Sequence, residues 1–458
     1  MERSVYTPGA GHLPEVLAGR DELLHSLRVR LNETAAVGRR RAQDVIFTGV
    51  RGVGKTALLT VYRRAAEQQG FDVIYHQAVK DRPGFVEAIL KQAEQRLEEG
   101  AGAWARARRA LERVAGVSVG VAGASAGVNF RDRPAAASTV FPGQLADAFA
   151  LLAAEIRKDS PHGGVTLIVD EVQVAGPQDL TLLAATLHQL NVQHPDAAVS
   201  FAGSGLPTVP GDLRAAGVTH PDRLFTIEEI PPELTQDEAL YAVIEPARRA
   251  GVTWRPEAAE LVVDAASRYP AHVQLFADET WSAAAGPSII TLADAQAGQV
   301  AAENRIARQS LAPRVNELSG RKLEYLTAIA LNGGSAPVSA VAATLNKRLP
   351  ELSWLRDELI RDGDIYSPNR GHVALAVPVF ARFLVGRYED ARQHSDTALL
   401  SLEQMRRNQD AYRARTLSGH DDPGPRALPA TPGEQPGRTA PAPPLPGTTP
   451  SPEPGPPR

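Results

Sequence analysis

Asp44-Val-Ile-Phe-Thr-Gly49-Val-Arg-Gly-Val-Gly-Lys55-Thr56 is the stretch that decides the fold. Val45, Ile46 and Phe47 read as a short buried strand. Gly49, Gly52 and Gly54 allow a turn with positive φ and close approach to a ligand. Ala57, Leu58, Leu59, Val61 and Tyr62 continue as a helix. A strand, Gly-x-x-x-x-Gly-Lys-Thr and a helix make a P-loop. Gly49, Val50, Arg51, Gly52, Val53, Gly54, Lys55, Thr56 and Ala57 are then the nucleotide-binding residues. Their backbone N–H groups and the positive end of the helix cradle the phosphates. Lys55 adds a full positive charge, and Thr56 offers its hydroxyl to Mg²⁺.

Working outward, Val165-Thr-Leu-Ile-Val-Asp170-Glu171-Val-Gln173 fits a strand buried on both faces of a parallel sheet. Two carboxylates at its end suit a Walker B. Asp170 is expected to hold the Mg²⁺ shell and Glu171 to polarise the attacking water. Ala198-Val-Ser-Phe-Ala-Gly-Ser204-Gly205 is a further buried strand, where Ser204 is either a γ-phosphate sensor or part of a Gly-Ser turn. Phe71–Tyr75 and Leu224–Ile227 supply the remaining strands. Helices are expected over 84–99, 143–157 and 179–193. Residues 101–138 read as a β-hairpin or loop insertion.

Composition sets bounds. The 458 residues leave room for about three domains. The net charge of −4 gives no global case for nucleic acid or anionic membrane. The absence of Cys removes disulfides and thiolate chemistry and fits a reducing cytoplasm. No apolar run reaches the ~20 residues of a membrane helix, and the first residues lack a signal-peptide pattern. A cytoplasmic protein is expected. The histidines are scattered without metal-site spacing, and Ala202 and Leu206 around Gly203-Ser204-Gly205 rule out a nucleophile elbow.

Beyond Thr235 the strand signals thin. Four helices over 236–250, 256–267, 271–284 and 292–306 suit a small lid. Helices through 322–331, 338–345 and 352–361, then a two-stranded ribbon turning at Pro368-Asn-Arg-Gly371, read as a winged helix-turn-helix. The expected organisation is α/β: a P-loop αβα parallel-sheet ATPase core (1–230), an α-helical lid (231–310), a winged helix-turn-helix (311–390), a helix (391–416) and a disordered Pro-rich tail (417–458). Trp104, Trp254, Trp281 and Trp354 are expected as core or interface anchors.

The order Gly49–Thr56, Leu167–Gln173, Ser200–Leu206, helical lid, winged helix resembles the AAA+ ATPases of the initiator (origin-recognition-like) branch. It looks closest to stand-alone bacterial AAA family ATPases. Leu17-Ala-Gly-Arg-Asp-Glu-Leu23 resembles the box that opens that branch's ATPase domain, near where the adenine is held. The resemblance spans roughly residues 12–388. It implies Mg²⁺-ATP as ligand, a lid closing over it, nucleotide-dependent oligomers and an arginine finger. Arg223 is near the finger's expected place, and Arg214 competes with it. Two departures stand out. Ser204 replaces the Asn common in initiators, and Ser267-Arg-Tyr-Pro270-Ala replaces a Gly-x-x-Arg sensor. The Tyr-Pro is more like the Gly-x-Pro of signalling NTPases, whose proline touches the nucleotide.

Two uses of ATP follow. In one, ATP binding and hydrolysis drive association with duplex DNA through residues 338–378, with Lys347, Arg348, Arg356, Arg361, Arg370 and His372 as contacts. In the other, the protein is a slow nucleotide switch whose winged helix docks a protein partner. Glu351, Asp357, Glu358 and Asp362 on the recognition helix predict weak, salt-sensitive DNA affinity.

Overall fold

A computed structural model of the chain describes residues 3–9, 11–79, 88, 92, 95–96, 102–106, 142–284, 288–395 and 398–417. Most of the helix expected over 84–99, most of the insertion over 101–138 and the tail beyond 417 lie outside them. Residues 102–106, the described start of the segment read as a β-hairpin or loop insertion, are helical, and the alternating stretches themselves lie outside the described residues.

The P-loop strand β1 (Asp44–Thr48) lies inside a five-stranded parallel sheet with β2 (Phe71–Gln77), β3 (Gly164–Asp170), β4 (Val199–Gly205) and β5 (Phe225–Glu229), in the order β2-β3-β4-β1-β5. All residues of β1 and β3 are buried, as their unbroken apolar runs require. Helices α1 (Asp21–Val37), α2 (Lys55–Gln68), α3 (Pro142–Asp159) and α4 (Pro177–Gln193) flank the sheet. One apolar cluster, with Leu31, Phe47, Leu58 and Ile168, fills one side. Another, with Ile46, Phe149, Leu167, Leu187 and Trp104, fills the other. The start of β1 is pinned by a buried ion pair. Arg40 bonds Asp44, and Asp44 Oδ1 accepts from Phe201 N at 2.9 Å. Removing one member of such a pair costs about 3–5 kcal/mol, because the other charge stays buried.

After β4 come α5 (Val209–Ala215) and a single turn at Pro221–Leu224. The chain then leaves the sheet into α6 (Gln236–Arg249), α7 (Pro256–Ala265), α8 (Pro270–Ala283) and α9 (Leu292–Ile306), with a two-stranded ribbon of β6 (Thr253–Trp254) and β7 (Ile289–Ile290). Thr235 and Thr291 open α6 and α9 with capping boxes. A π-helical turn over Ala307–Leu311 leads to α10 (Ala312–Glu317). Next come α11 (Gly320–Leu331), β8 (Ser335–Pro337), α12 (Val338–Thr344), α13 (Leu349–Asp362), β9 (Ile365–Tyr366), β10 (His372–Leu375) and α14 (Phe380–Gln393). Strands β8, β10 and β9 form an antiparallel sheet in that order.

The helix expected from 391 begins later. Leu399–Ser401 are not helical, because Leu400 is tied to Glu324 and Tyr388 and Ser401 caps the next helix against Gln404. That helix is α15 (Leu402–Leu417). Residues 1–412 form one compact unit; of a second unit, 413–458, only the helical residues 413–417 are described. One apolar cluster runs continuously from Leu234 through α6–α9 and α11–α14 to Met405, so the two C-terminal regions share a core. Tyr6 also belongs to it, edge-on to Trp254 and Trp281 at 6.3 and 6.0 Å. Of the core and interface alternatives for Trp354, the core is excluded, since it stands 52% exposed on α13.

Candidate functional site

Parallel pairing brings the ends of β1, β3 and β4 to one edge of the sheet, and the site is built there. Gly52 and Gly54 have φ of +78° and +95°, as a turn entering a helix requires. Gly49 is glycine for a different reason from the one its motif suggests. Its φ is not positive, and a Cβ there would sit 3.0 Å from Val53 Cγ2 and 3.1 Å from Ile230 O. Beneath the loop, the buried Arg20 donates to Val53 O at 3.1 Å.

Lys55 is buried and donates to Gly49 O at 2.9 Å and Val50 O at 2.8 Å. Burial pulls its ammonium below the usual lysine range, while Glu171 and Asp170 oppose that shift. At the end of β3, Asp170 is fully buried. Its Oδ2 accepts from Thr56 Oγ1 at 2.8 Å and from the Tyr75 hydroxyl at 3.4 Å. Burial, followed by the Asp170 charge, pushes the Tyr75 hydroxyl up to about 12. Ser204 donates to Asp170 Oδ1. It lies within β4 rather than in a turn, fully buried, so its hydroxyl addresses the carboxylate and not the cleft. Glu171 takes the left-handed conformation, φ 58°, and turns into the cleft.

That cleft is about 980 Å³. Arg51 through Ala57, Glu171 and Pro270 line it, as do residues 7–9, 11–12, 14 and 16–18 of the N-terminal segment. Gly49, Val50, Asp170 and Ser204 lie behind its wall. The Tyr269–Pro270 corner leans on the loop. The Tyr269 hydroxyl donates to Arg51 O, and a Cβ on Gly52 would lie 2.4 Å from that hydroxyl. Arg51 Nη1 in turn donates to Asp362 O at the end of α13, 2.7 Å away.

Arg223 is exposed in the turn just before β5, and Phe225 pairs with Asp44, so it stands at the end of the sheet opposite the phosphate loop. Arg214, also exposed, lines a separate 430 Å³ pocket between α5 and α13–β9.

Residues 16–197 match the family model of the AAA ATPase domain. Over these residues the chain is similar to AAA ATPase domains. The parallel sheet continues past the matched segment into β4 and β5. Residues 308–384 match a domain of unknown function, DUF8462. No curated protein matches the chain. Among solved structures, it is similar to a Walker-type ATPase of Pyrococcus abyssi, with 16% identity over 80% of this chain and 95% of that one, at a TM-score of 0.53. It is also similar to the Aeropyrum pernix ORC2 protein, described as ADPNP–ADP complexes, with 14% identity over 85% and 99% of the two chains and the same TM-score of 0.53. At these identities the likeness is one of fold. Among the described residues no helix is long and apolar enough to cross a membrane.

The contacts around the loop that the sequence does not announce are long-range. Asp362 reaches the loop from a segment whose local pattern only announces a helix, while Arg20 and Tyr269 lie in segments that the sequence singles out but without a sign that they bond Val53 O and Arg51 O.

Proposed function

We propose that the chain is a Mg²⁺-dependent ATP-binding and hydrolysing AAA+ protein that works as a slow nucleotide switch. In this reading α6–α9 are the lid. The region from α11 to β10 is a winged helix that docks a protein. The observation that carries the reading is the double hold on Arg51, by Tyr269 from the lid and by Asp362 from the winged helix. A phosphate loop gripped at its tip by both modules gives them a direct contact with nucleotide state.

The chain's own residues supply the chemistry. Lys55 exchanges its two carbonyl partners for phosphate oxygens, and the N–H groups of Gly52–Thr56 face the same charge. Mg²⁺, when bound, neutralises charge on the β- and γ-phosphates. Thr56 Oγ1 and Asp170 Oδ2, already 2.8 Å apart, are hard oxygen donors that fit it, the remaining ligands coming from phosphate and water. Glu171, on the cleft wall, orients the attacking water and takes its proton. Pro270 contacts the nucleotide from the lid. Arg223 would serve only the site of a neighbouring copy.

The DNA reading is less well supported. Arg348 pairs with Glu351 at 2.5 Å, Arg356 with Asp357 at 2.9 Å, and Lys322 with both Glu358 and Asp362 at 2.8 Å. Cations already paired with carboxylates neutralise few phosphates. The exposed Leu349 and Trp354 suit a protein contact better.

Hydrogen exchange of residues 359–366 in Glu171→Gln tests the reading. Protection is expected with ADP and its loss with Mg²⁺-ATP. Equal protection in both states would remove the switch. ATP-dependent duplex binding with a steep salt slope, by fluorescence anisotropy, would restore the DNA reading.

A further inference from the structure

Gln173 sits two residues beyond Glu171, in the short 3₁₀ turn that follows β3. Its side chain makes two bonds in opposite directions. Nε2 donates to Glu171 Oε2 at 2.5 Å, and Oε1 accepts from Leu206 N at 3.0 Å. The Leu206 N–H can only donate, so it fixes which end of the carboxamide is oxygen and leaves the NH₂ facing the glutamate. Space is reserved for this arrangement: a Cβ on Gly205 would lie 2.6 Å from Gln173 Oε1. Glu171 itself holds a left-handed backbone that non-glycine residues rarely adopt, so the surrounding fold fixes the main chain from which its carboxylate projects.

We infer that Gln173 is the positioning residue for Glu171. It anchors one carboxylate oxygen to the backbone at the end of β4 and leaves the other free for the attacking water. This rests on Glu171 being the base of ATP hydrolysis. A general base needs an orienting partner to present its lone pair in one direction, and the carboxamide supplies that without adding charge beside the phosphates. The anchor is part of the wall that meets the C-terminal module, since a Cβ on Gly363 would come within 3.4 Å of Leu206 Cδ1. The corner at Asp362–Gly363 therefore touches Arg51 on one side and the anchor of the base on the other.

Two variants separate positioning from mere loop support. Gln173→Leu removes both bonds. Gln173→Glu keeps an acceptor for Leu206 N–H but turns a carboxylate toward Glu171. Steady-state turnover and calorimetric Mg²⁺-ATP affinity are measured for both, with wild type and Glu171→Gln alongside. The expected result is a kcat at least about tenfold lower in both variants, with Kd within about threefold of wild type. Wild-type or faster turnover in Gln173→Glu would overturn the inference, because loop support alone survives that change; this variant also decides the matter if Gln173→Leu does not fold. Wild-type turnover in Glu171→Gln would instead show that Glu171 is not the base, and both readings would fall together.

Discussion

Arg51 and Asp362 are 311 positions apart in the chain, yet the guanidinium of one donates to the backbone carbonyl of the other at 2.7 Å. The carbonyl belongs to the last turn of α13, where helix carbonyls lack intrahelical partners and the helix dipole is negative. A cation from the phosphate loop is thus a complementary cap. Gly363 follows with φ +77°, and any side chain there would strike the guanidinium, at 2.8 Å from Nη1.

Arg51→Ala is expected to free this corner. Arg51 is exposed, so the bond is worth only about 1 kcal/mol. Without nucleotide, exchange of the amides over 359–366 should speed up about fivefold, with the sheet amides unchanged. Identical exchange in the two proteins would show that the contact carries no stabilisation.

Lys55→Ala should lose nucleotide. The ammonium is buried, with two carbonyls and two carboxylates around it, and a charge-assisted contact of this kind is worth about 1.5–3 kcal/mol. Calorimetry should find ATP affinity reduced at least about tenfold. Unchanged affinity would remove the phosphate-loop assignment.

Glu171→Gln separates binding from turnover. The amide keeps the shape and the contact with Gln173 but cannot take a proton, so kcat should fall by about 10² or more while ATP is retained. Turnover equal to wild type would dismiss Glu171 as the base.

Stability should depend on His272. The side chain is buried on α8 against Tyr269 and Phe276, its Nδ1 has no partner, and burial pushes its pKa from 6.5 down to about 4. The folded pKa is depressed, so the unfolded chain takes up a proton first as pH falls. The stabilisation of the neutral form is intact above about pH 6.5 and is lost between there and pH 4, amounting to about 3 kcal/mol. His272→Phe should flatten that decline, as measured by chemical denaturation at pH 7 and pH 5. Parallel declines in both proteins would place the sensitivity elsewhere.

Much of this architecture was legible because its signals are local. The apolar runs at Val45–Phe47 and Val165–Val169 announce strands buried on both faces, and both are fully buried. Thr235 and Thr291, each followed three residues later by an acid, announce helix starts. What could not be read is who meets whom across the fold. Tyr6 lodges its hydroxyl on Val243 O, 237 positions away. Ser204 carries no local sign that it bonds Asp170. Gln173 belongs to a motif already read, yet its role depends on the Leu206 amide from another strand. Trp354 looks apolar in a one-dimensional count, but the helical period turns it away from Leu352, Leu355 and Leu359.

The continuous core from Leu234 to Met405 also sets how the molecule can articulate. Separating α6–α9 from α11–α14 would expose a shared apolar interior, whereas the chain itself crosses from the sheet to this body at Ala18–Gly19 and Ile230–Leu234. The first crossing lies against the start of α6, since a Cβ on Gly19 would lie 2.6 Å from the Glu238 carboxyl carbon. The second crossing carries Pro231 and Pro232, whose rings fix φ. Tyr269 caps α8 and Asp362 ends α13, both helices of this shared core, so the two holds on Arg51 come from one packed body.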